Sequence, residues 1–454
     1  MNQHQRTVDV QTFIDSQPFS PFQWTILVLC FLVVAADGFD TAAVGFIAPS
    51  LVQDWGVSRA ALGPVMSAAL VGLGIGALGA GPLADRVGRK AVLVLSVFFF
   101  GLWSFAAAHA GSIESLTALR FMTGLGLGAA MPNAVTLMSE YAPARIRALA
   151  VNGMFCGFSC GLAIGGVASA WLIPHFGWQS VLVAGGVGPI ALTLMLVLLL
   201  PESAQFMATR KRGDARIARV LSRIARHARL DDCRFVTAEV KAEHRESALR
   251  VVLSSRYRFG TLMLWLAYFM GLLIYYLLTN WLPTLFKDTG FSGQNAALMT
   301  SLFPLGGVVG NLSVGWLMDR FNGNRVIACT YVVAAALVML VGHGIGHQLW
   351  LGTLIFLTGT VVTSAVTSMS ALAAGFYPTQ GRATGVAWML GVGRIGGVAG
   401  ALVGAALMGL GWQFGSVFSL LAVPAMISAF GVYAVARRPA AQDIDETELT
   451  PAVE

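Results

Sequence analysis

Long apolar stretches separated by short polar turns organise the chain from about residue 23 to residue 436. Twelve of them are predicted as helices, near 23–48, 60–80, 91–110, 115–138, 148–172, 179–200, 259–285, 293–317, 326–346, 350–374, 383–409 and 413–436. Each supplies roughly the 20 residues needed to cross the hydrocarbon core of a bilayer. The first begins after Pro21, follows a polar segment with no cleavage-site pattern and carries two aspartates, so it reads as a retained span and not a signal peptide. The pattern predicts an all-α membrane protein with twelve transmembrane helices. Its expected organisation is a segment 1–22, a six-helix bundle over 23–200, a polar central loop over 201–258, a second six-helix bundle over 259–436 and a tail over 437–454.

Composition narrows the class. Of the 454 residues 56% are hydrophobic and only 11% are charged, against about 25% charged in an average soluble domain. That excludes a soluble enzyme, a disordered chain and a disulfide scaffold. The formal net charge of +7 does not point to nucleic acid, because its placement follows membrane topology. All of the 29 Lys and Arg except Arg59, Lys287, Arg120 and Arg394 fall on one side of the spans. Excess Lys and Arg mark cytoplasmic loops, so both termini and the central loop are expected in the cytoplasm of a multi-pass inner-membrane protein. The even number of spans requires the same side for both ends. The five Cys have no metal or redox spacing. No phosphate loop, metal cluster or nucleophile–base pair appears, so no enzyme, ATP-driven pump, cofactor or metal is expected.

In the central loop, Arg212, Arg216, Arg219, Arg223 and Arg226 are spaced four and three apart and form a basic stripe on a helix. Ile217, Val220, Leu221 and Ile224 form the opposite, apolar face. Such an amphipathic helix is expected to lie on the anionic inner leaflet.

The two sets of six spans are related. Gly72, Gly76, Gly81, Leu83, Asp85 and Arg86 match Gly306, Gly310, Gly315, Leu317, Asp319 and Arg320 at a constant offset of 234. Gly177-Trp178-Gln179 recurs as Gly411-Trp412-Gln413 at the same offset, and Pro143 and Arg147 match Pro378 and Arg382 at 235. An internal duplication of this kind makes two bundles with a pathway between them. In Gly81–Lys90 the glycines permit close helix approach, and Asp85 can accept from helix N-terminal amides or from an arginine. Asp85, Arg86, Arg89, Glu140, Arg147, Asp319, Arg320 and Arg382 are therefore the expected gating charges. The plainer alternative is that they only orient the loops.

Gly81–Lys90 resembles the signature loop of the major facilitator superfamily, and Pro201-Glu202-Ser203 looks like another of its marks. Asp37-Gly38-Phe39-Asp40-Thr41 resembles the aromatic acid:proton symporters. Gly63–Leu70, Trp281–Leu285 and Phe376–Gly385 are similar to the 4-hydroxybenzoate/protocatechuate branch of that family. The resemblance implies the major facilitator fold and proton-coupled import of aromatic carboxylates such as 4-hydroxybenzoate or protocatechuate, an entry step for aromatic catabolism. It also implies importance for Asp37, Asp40, Asp85, Arg120, Glu140, Asp319, Arg382 and Arg394.

The residues point to a site independently. An ionised side chain at mid-bilayer costs about 2.5–3.5 kcal/mol on insertion scales, yet Asp37, Asp40, Arg120 and Arg394 all lie well inside spans. None is mirrored at its duplicated position, where Gly271, Ile274, Leu354 and Ser159 stand. Scaffold residues are mirrored more readily than ligand or proton residues, so the asymmetry favours function. Asp37 and Asp40, three apart on one helix face, are the expected proton carriers. Arg120 lies at a similar depth to Asp40, and the two form either a pair in the transport cycle or a permanent structural ion pair. Arg394 sits among glycines near mid-span, where a guanidinium can grip a carboxylate in two prongs or bond backbone carbonyls. Arg120 and Arg394 are the expected substrate cations. Tyr275, Asn280, Trp281 and Trp388 are the expected ring contacts, although aromatic residues in spans also serve as packing or interface anchors.

Two other functions remain open at this stage. One is proton-coupled export of aromatic or drug-like compounds, disfavoured because Gly161-Leu162-Ala163-Ile164-Gly165-Gly166 lacks the proline that exporters of the superfamily carry there. The other is transport combined with chemotactic sensing. The expected partners are an aromatic carboxylate, protons and membrane lipids, with the chain working as a monomer.

Overall fold

A computed structural model of the chain describes residues 6–210, 213–225, 230, 233–237, 252–344, 348–377 and 382–437. The side chains of Asp85, Asp319 and Arg382, together with Arg212, Arg226, Pro378 and the tail beyond 437, lie outside the described residues. Twelve helices are long and apolar enough to cross a membrane. They are α2 (Pro21–Trp55), α3 (Leu62–Val87), α4 (Arg89–Ala107), α5 (Ile113–Tyr141), α6 (Arg147–Phe176), α7 (Gln179–Leu199), α10 (Arg258–Asp288), α11 (Gly293–Arg320), α12 (Gly323–His343), α13 (Gln348–Phe376), α14 (Arg382–Gly409) and α15 (Phe414–Arg437). Helices satisfy their own backbone groups, which lipid cannot do. The protein is a multi-pass, all-α membrane protein. The short helices α1 (Val10–Ser16), α8 (Ala204–Thr209) and α9 (Asp214–Ile224) and the strands β1 (Arg6–Asp9) and β2 (Cys233–Val236) lie on the side of the spans that carries the N-terminus and the central loop.

Local chemistry fixes where the first span starts and stops. Ser20 caps α2 by accepting from the Gln23 amide while the Gln23 side chain accepts from the Ser20 amide, and Pro21 occupies the first turn. Gly56, at φ 63°, ends the helix in a left-handed conformation that favours glycine.

The chain forms two compact units: Met1–Lys241 with Thr279–Pro304 and Gly404–Leu410, and Ala242–Leu278 with Leu305–Val403 and Gly411–Glu454. Each repeats the same close approaches. In the first unit, a Cβ on Gly72 or Gly76 of α3 would collide with the carbonyl oxygen of Phe121 or Leu125 in α5. In the second, a Cβ on Gly306 or Gly310 of α11 would collide with that of Phe356 or Thr360 in α13. Gly161 of α6 meets the Ala35 carbonyl of α2, and Gly396 of α14 meets that of Phe269 in α10. Small residues at these positions let helices touch backbone to backbone, which is how packing is obtained without a hydrophobic driving force. The duplication read from spacing is therefore a duplication of contacts.

The central loop corrects one expectation. Ile217, Leu221 and Ile224 do not face a leaflet; they are buried in one cluster with Val10, Ile14, Phe22, Met207 and Phe235. β1 pairs with β2 in parallel, Arg6 opposite Cys233 and Asp9 opposite Val236. Asp9 then caps α1 by accepting from the Thr12 amide at 2.8 Å. The N-terminal segment supplies the apolar partner that the amphipathic face needs, leaving Arg216, Arg219 and Arg223 exposed on the other face.

Candidate functional site

Asp37 and Asp40 share a face of α2, and both are buried, at 2% and 0% exposure. Their surroundings differ. Arg120, on α5 and 1% exposed, donates from Nη1 to Asp40 Oδ1 at 2.8 Å, has Nη2 2.8 Å from Oδ2, and also reaches the Asp40 carbonyl from Nη2 at 3.1 Å. Ser104 Oγ, from α4, donates to the same Oδ1 at 2.8 Å. Three helices thus converge on one buried ion pair, in which the Arg120 guanidinium is engaged by Asp40. Ser104 was not singled out from sequence, because a serine in an apolar run carries no signal of its own. Asp37 accepts a long bond, 3.3 Å, from Thr41 Oγ1 one turn on.

Arg394 lies near the middle of α14 and is half-buried. It makes no hydrogen bond or ion pair with any described residue; Tyr268 of α10 lies within electrostatic reach of it. The Tyr268 ring, itself buried, packs where a Cβ on Gly393 would stand, so the glycine beside the arginine admits the ring. Of the expected ring contacts, Tyr275 is buried and meets Tyr276 edge to face at 5.4 Å. Trp281 is fully buried against Gly404. Asn280 is buried, and its Nδ2 has no hydrogen-bond partner among the described residues. Trp388 is half-exposed and stacks on Trp265 at 5.9 Å, an anchoring arrangement.

The expected gating charges divide in the same way. Arg89 Nε lies 3.5 Å from Glu140 Oε1, and its guanidinium sits 5.1 Å from the Phe206 ring. Glu202 accepts from the backbone amides of Lys90 and Ser203, at 3.1 and 2.9 Å. Tyr141 Oη donates to the Glu202 carbonyl at 2.6 Å. Arg147 Nη2 is 3.9 Å from Asp15 Oδ1, which also accepts from the Ala144 amide at 2.8 Å. Asp15, on α1, was not singled out from sequence; it is 132 positions from Arg147, and no local pattern links them. Arg86 is exposed, and Arg320 is exposed with its guanidinium 4.1 Å from the Trp316 ring. On the far side of the spans, Arg59 pairs with Asp288, the last residue of α10. Within that first unit Gly45 abuts the backbone of Thr279 and Asn280, and Gly166 abuts Ser301.

A duplicated twelve-helix bundle with ionisable groups held inside its spans defines a membrane transport protein and not an enzyme. The chain belongs to the Major Facilitator Superfamily, whose model matches residues 30–344 and 264–453. It is 53% identical over 425 residues to the 4-hydroxybenzoate transporter PcaK of Pseudomonas aeruginosa, covering 94% of this chain and 95% of that one. It is 50% identical to a gallate transporter of Pseudomonas putida, with 94% and 95% covered. The crystal structure of a D-xylose-proton symporter shares the fold at a TM-score of 0.70 and 17% identity, over 90% of this chain and 97% of that one.

Proposed function

We propose that the protein imports aromatic carboxylates of the 4-hydroxybenzoate and protocatechuate class together with protons across the inner membrane, by alternating access, as a monomer with both termini in the cytoplasm. The observation that carries this reading is Arg394: a half-buried guanidinium midway along a span, without a carboxylate or carbonyl partner among the described residues. Such a cation is costly in lipid unless an anion joins it for part of the cycle. The names of the relatives supply the class of anion, and the positive-inside distribution supports the orientation.

Within this reading Arg394 grips the substrate carboxylate, and the Tyr268 ring beside it limits the guanidinium's freedom. Asn280, whose amide donor has no partner among the described residues, is assigned to a ring hydroxyl, and Tyr275 and Trp281 to the apolar walls. Asp37 is the proton carrier, since Asp40 is held by Arg120 and Ser104. Asp85, Arg86, Arg89, Glu140 and Arg147, with Asp319, Arg320 and Arg382 in the second repeat, form the cytoplasmic gate.

The test is uptake of radiolabelled 4-hydroxybenzoate into proteoliposomes with an alkaline interior, with and without a protonophore. Accumulation that the protonophore collapses supports symport. Absence of uptake of this and related aromatic acids, in vesicles competent for another solute, overturns the proposal in favour of export.

A further inference from the structure

The cytoplasmic cap leaves one feature that transport does not use. Between the end of α9 and the start of α2 lies an open groove of about 970 Å³, lined by Phe19, Ser20, Phe22, Thr25, Ser222 and Arg223 among others, and by no acidic side chain among the described residues. Phe19 and Phe22 line it, and the Arg223 guanidinium lies over the Phe22 ring at 4.3 Å. In the same first turns of the first span that line the groove, Trp24 and Val28 are 56% and 51% exposed. Trp24 lies edge to face with Phe19 at 5.2 Å near the start of the span, where exposed tryptophans commonly anchor at the membrane interface. Arg223 lines the groove, and Arg216 and Arg219 are exposed on the same helix; none of the three pairs with a carboxylate among the described residues.

We infer that this groove binds the headgroup of an anionic phospholipid of the inner leaflet. Three properties select that occupant. The cations have no carboxylate partner among the described residues and lie at one end of a span, where clustered arginines attract anionic headgroups. The lining is aromatic at Phe19 and Phe22, and the same stretch of chain exposes Trp24 and Val28, which suits the glycerol and upper acyl region and does not suit a free phosphate. The apolar face of α9 is already covered by protein, so the helix attaches to the leaflet through its charges and this groove rather than by inserting. The inference rests on the orientation proposed above, which protease clipping of the N-terminal segment in inside-out but not right-side-out vesicles tests separately.

The experiment uses the purified full chain in vesicles that contain a photoactivatable phosphatidylglycerol or, in a parallel sample, a phosphatidylcholine with the same acyl probe. Cross-linked peptides are mapped by mass spectrometry, so the readout does not depend on transport. The phosphatidylglycerol probe is expected to label the segments 17–25 and 222–225 in preference to the phosphatidylcholine probe. Arg219→Gln and Arg223→Gln are each expected to weaken labelling about five-fold, while Arg223→Lys retains it. Both arginines are exposed, so an unchanged melting midpoint is expected for the variants. Equal labelling by the two probes, or full labelling of the double glutamine variant, overturns the inference. So does labelling that appears only after removal of residues 439–454, because Asp443, Asp445, Glu446, Glu448 and Glu454 would then make the acidic tail the occupant.

Discussion

Asp37 and Asp40 are three residues apart and both buried, yet their partners differ. Removing one member of a buried ion pair leaves the other charge uncompensated, at a cost of about 3–5 kcal/mol. Asp40→Ala is therefore expected to lower the thermal midpoint in detergent sharply, and the double variant Asp40→Ala/Arg120→Ala is expected to recover part of that loss. Asp37→Asn is expected to melt like the parent while losing pH-driven accumulation, with exchange of substrate across the membrane retained. Full accumulation by that variant would remove Asp37 from the coupling role. Arg394→Lys keeps the charge but loses the two-pronged grip, so its KM is expected to rise about ten-fold or more, and an unchanged KM would return Arg394 to helix packing. The depth of each charge was legible in the sequence. So was the pairing of Arg120 with Asp40; the part of Ser104 was not, because it depends on the rotation of three helices about their axes.

At the scale of the helix, the paired glycines carry the packing. Gly76→Val and Gly310→Val each push a branched side chain into a facing carbonyl, and overpacking of this kind typically costs about 1–3 kcal/mol. Both variants are expected to lower the thermal midpoint to a similar extent, since the duplicated positions make the same contact; Gly74→Val, at a position with open space around it, serves as the control. Loss of stability at Gly74 equal to that at Gly76 would contradict this account. The glycine repeat could be read from spacing, as could the amphipathic face of α9. The partner of that face could not, because the strand that brings the N-terminal segment to it pairs with residues more than 220 positions away.

For the whole molecule, twelve apolar runs and the asymmetry of basic residues gave the architecture, as they do wherever lipid forbids any other spanning structure. The far-side ion pair was less visible. Arg59 and Asp288 lie in different repeats, and an exposed ion pair contributes only about 0–1 kcal/mol, a strength suited to a contact that parts in every cycle. Cysteines at 59 and 288, joined by a short thiol-to-thiol linker, are expected to arrest uptake, and a reductant-cleavable linker is expected to restore it on reduction. Uptake that continues through the cross-link would show that these ends stay together throughout transport.

The parallel pairing of β1 with β2 also has a consequence for biogenesis. The strand at residues 6–9 is synthesised first and its partner at 233–236 only after six spans have been made. At about 5–20 residues per second the first strand waits roughly 10–45 s for its mate. Its closure therefore times itself to the completion of the first bundle, so a bulky tag fused directly to the N-terminus should slow maturation at the ribosome more than one fused to the opposite end.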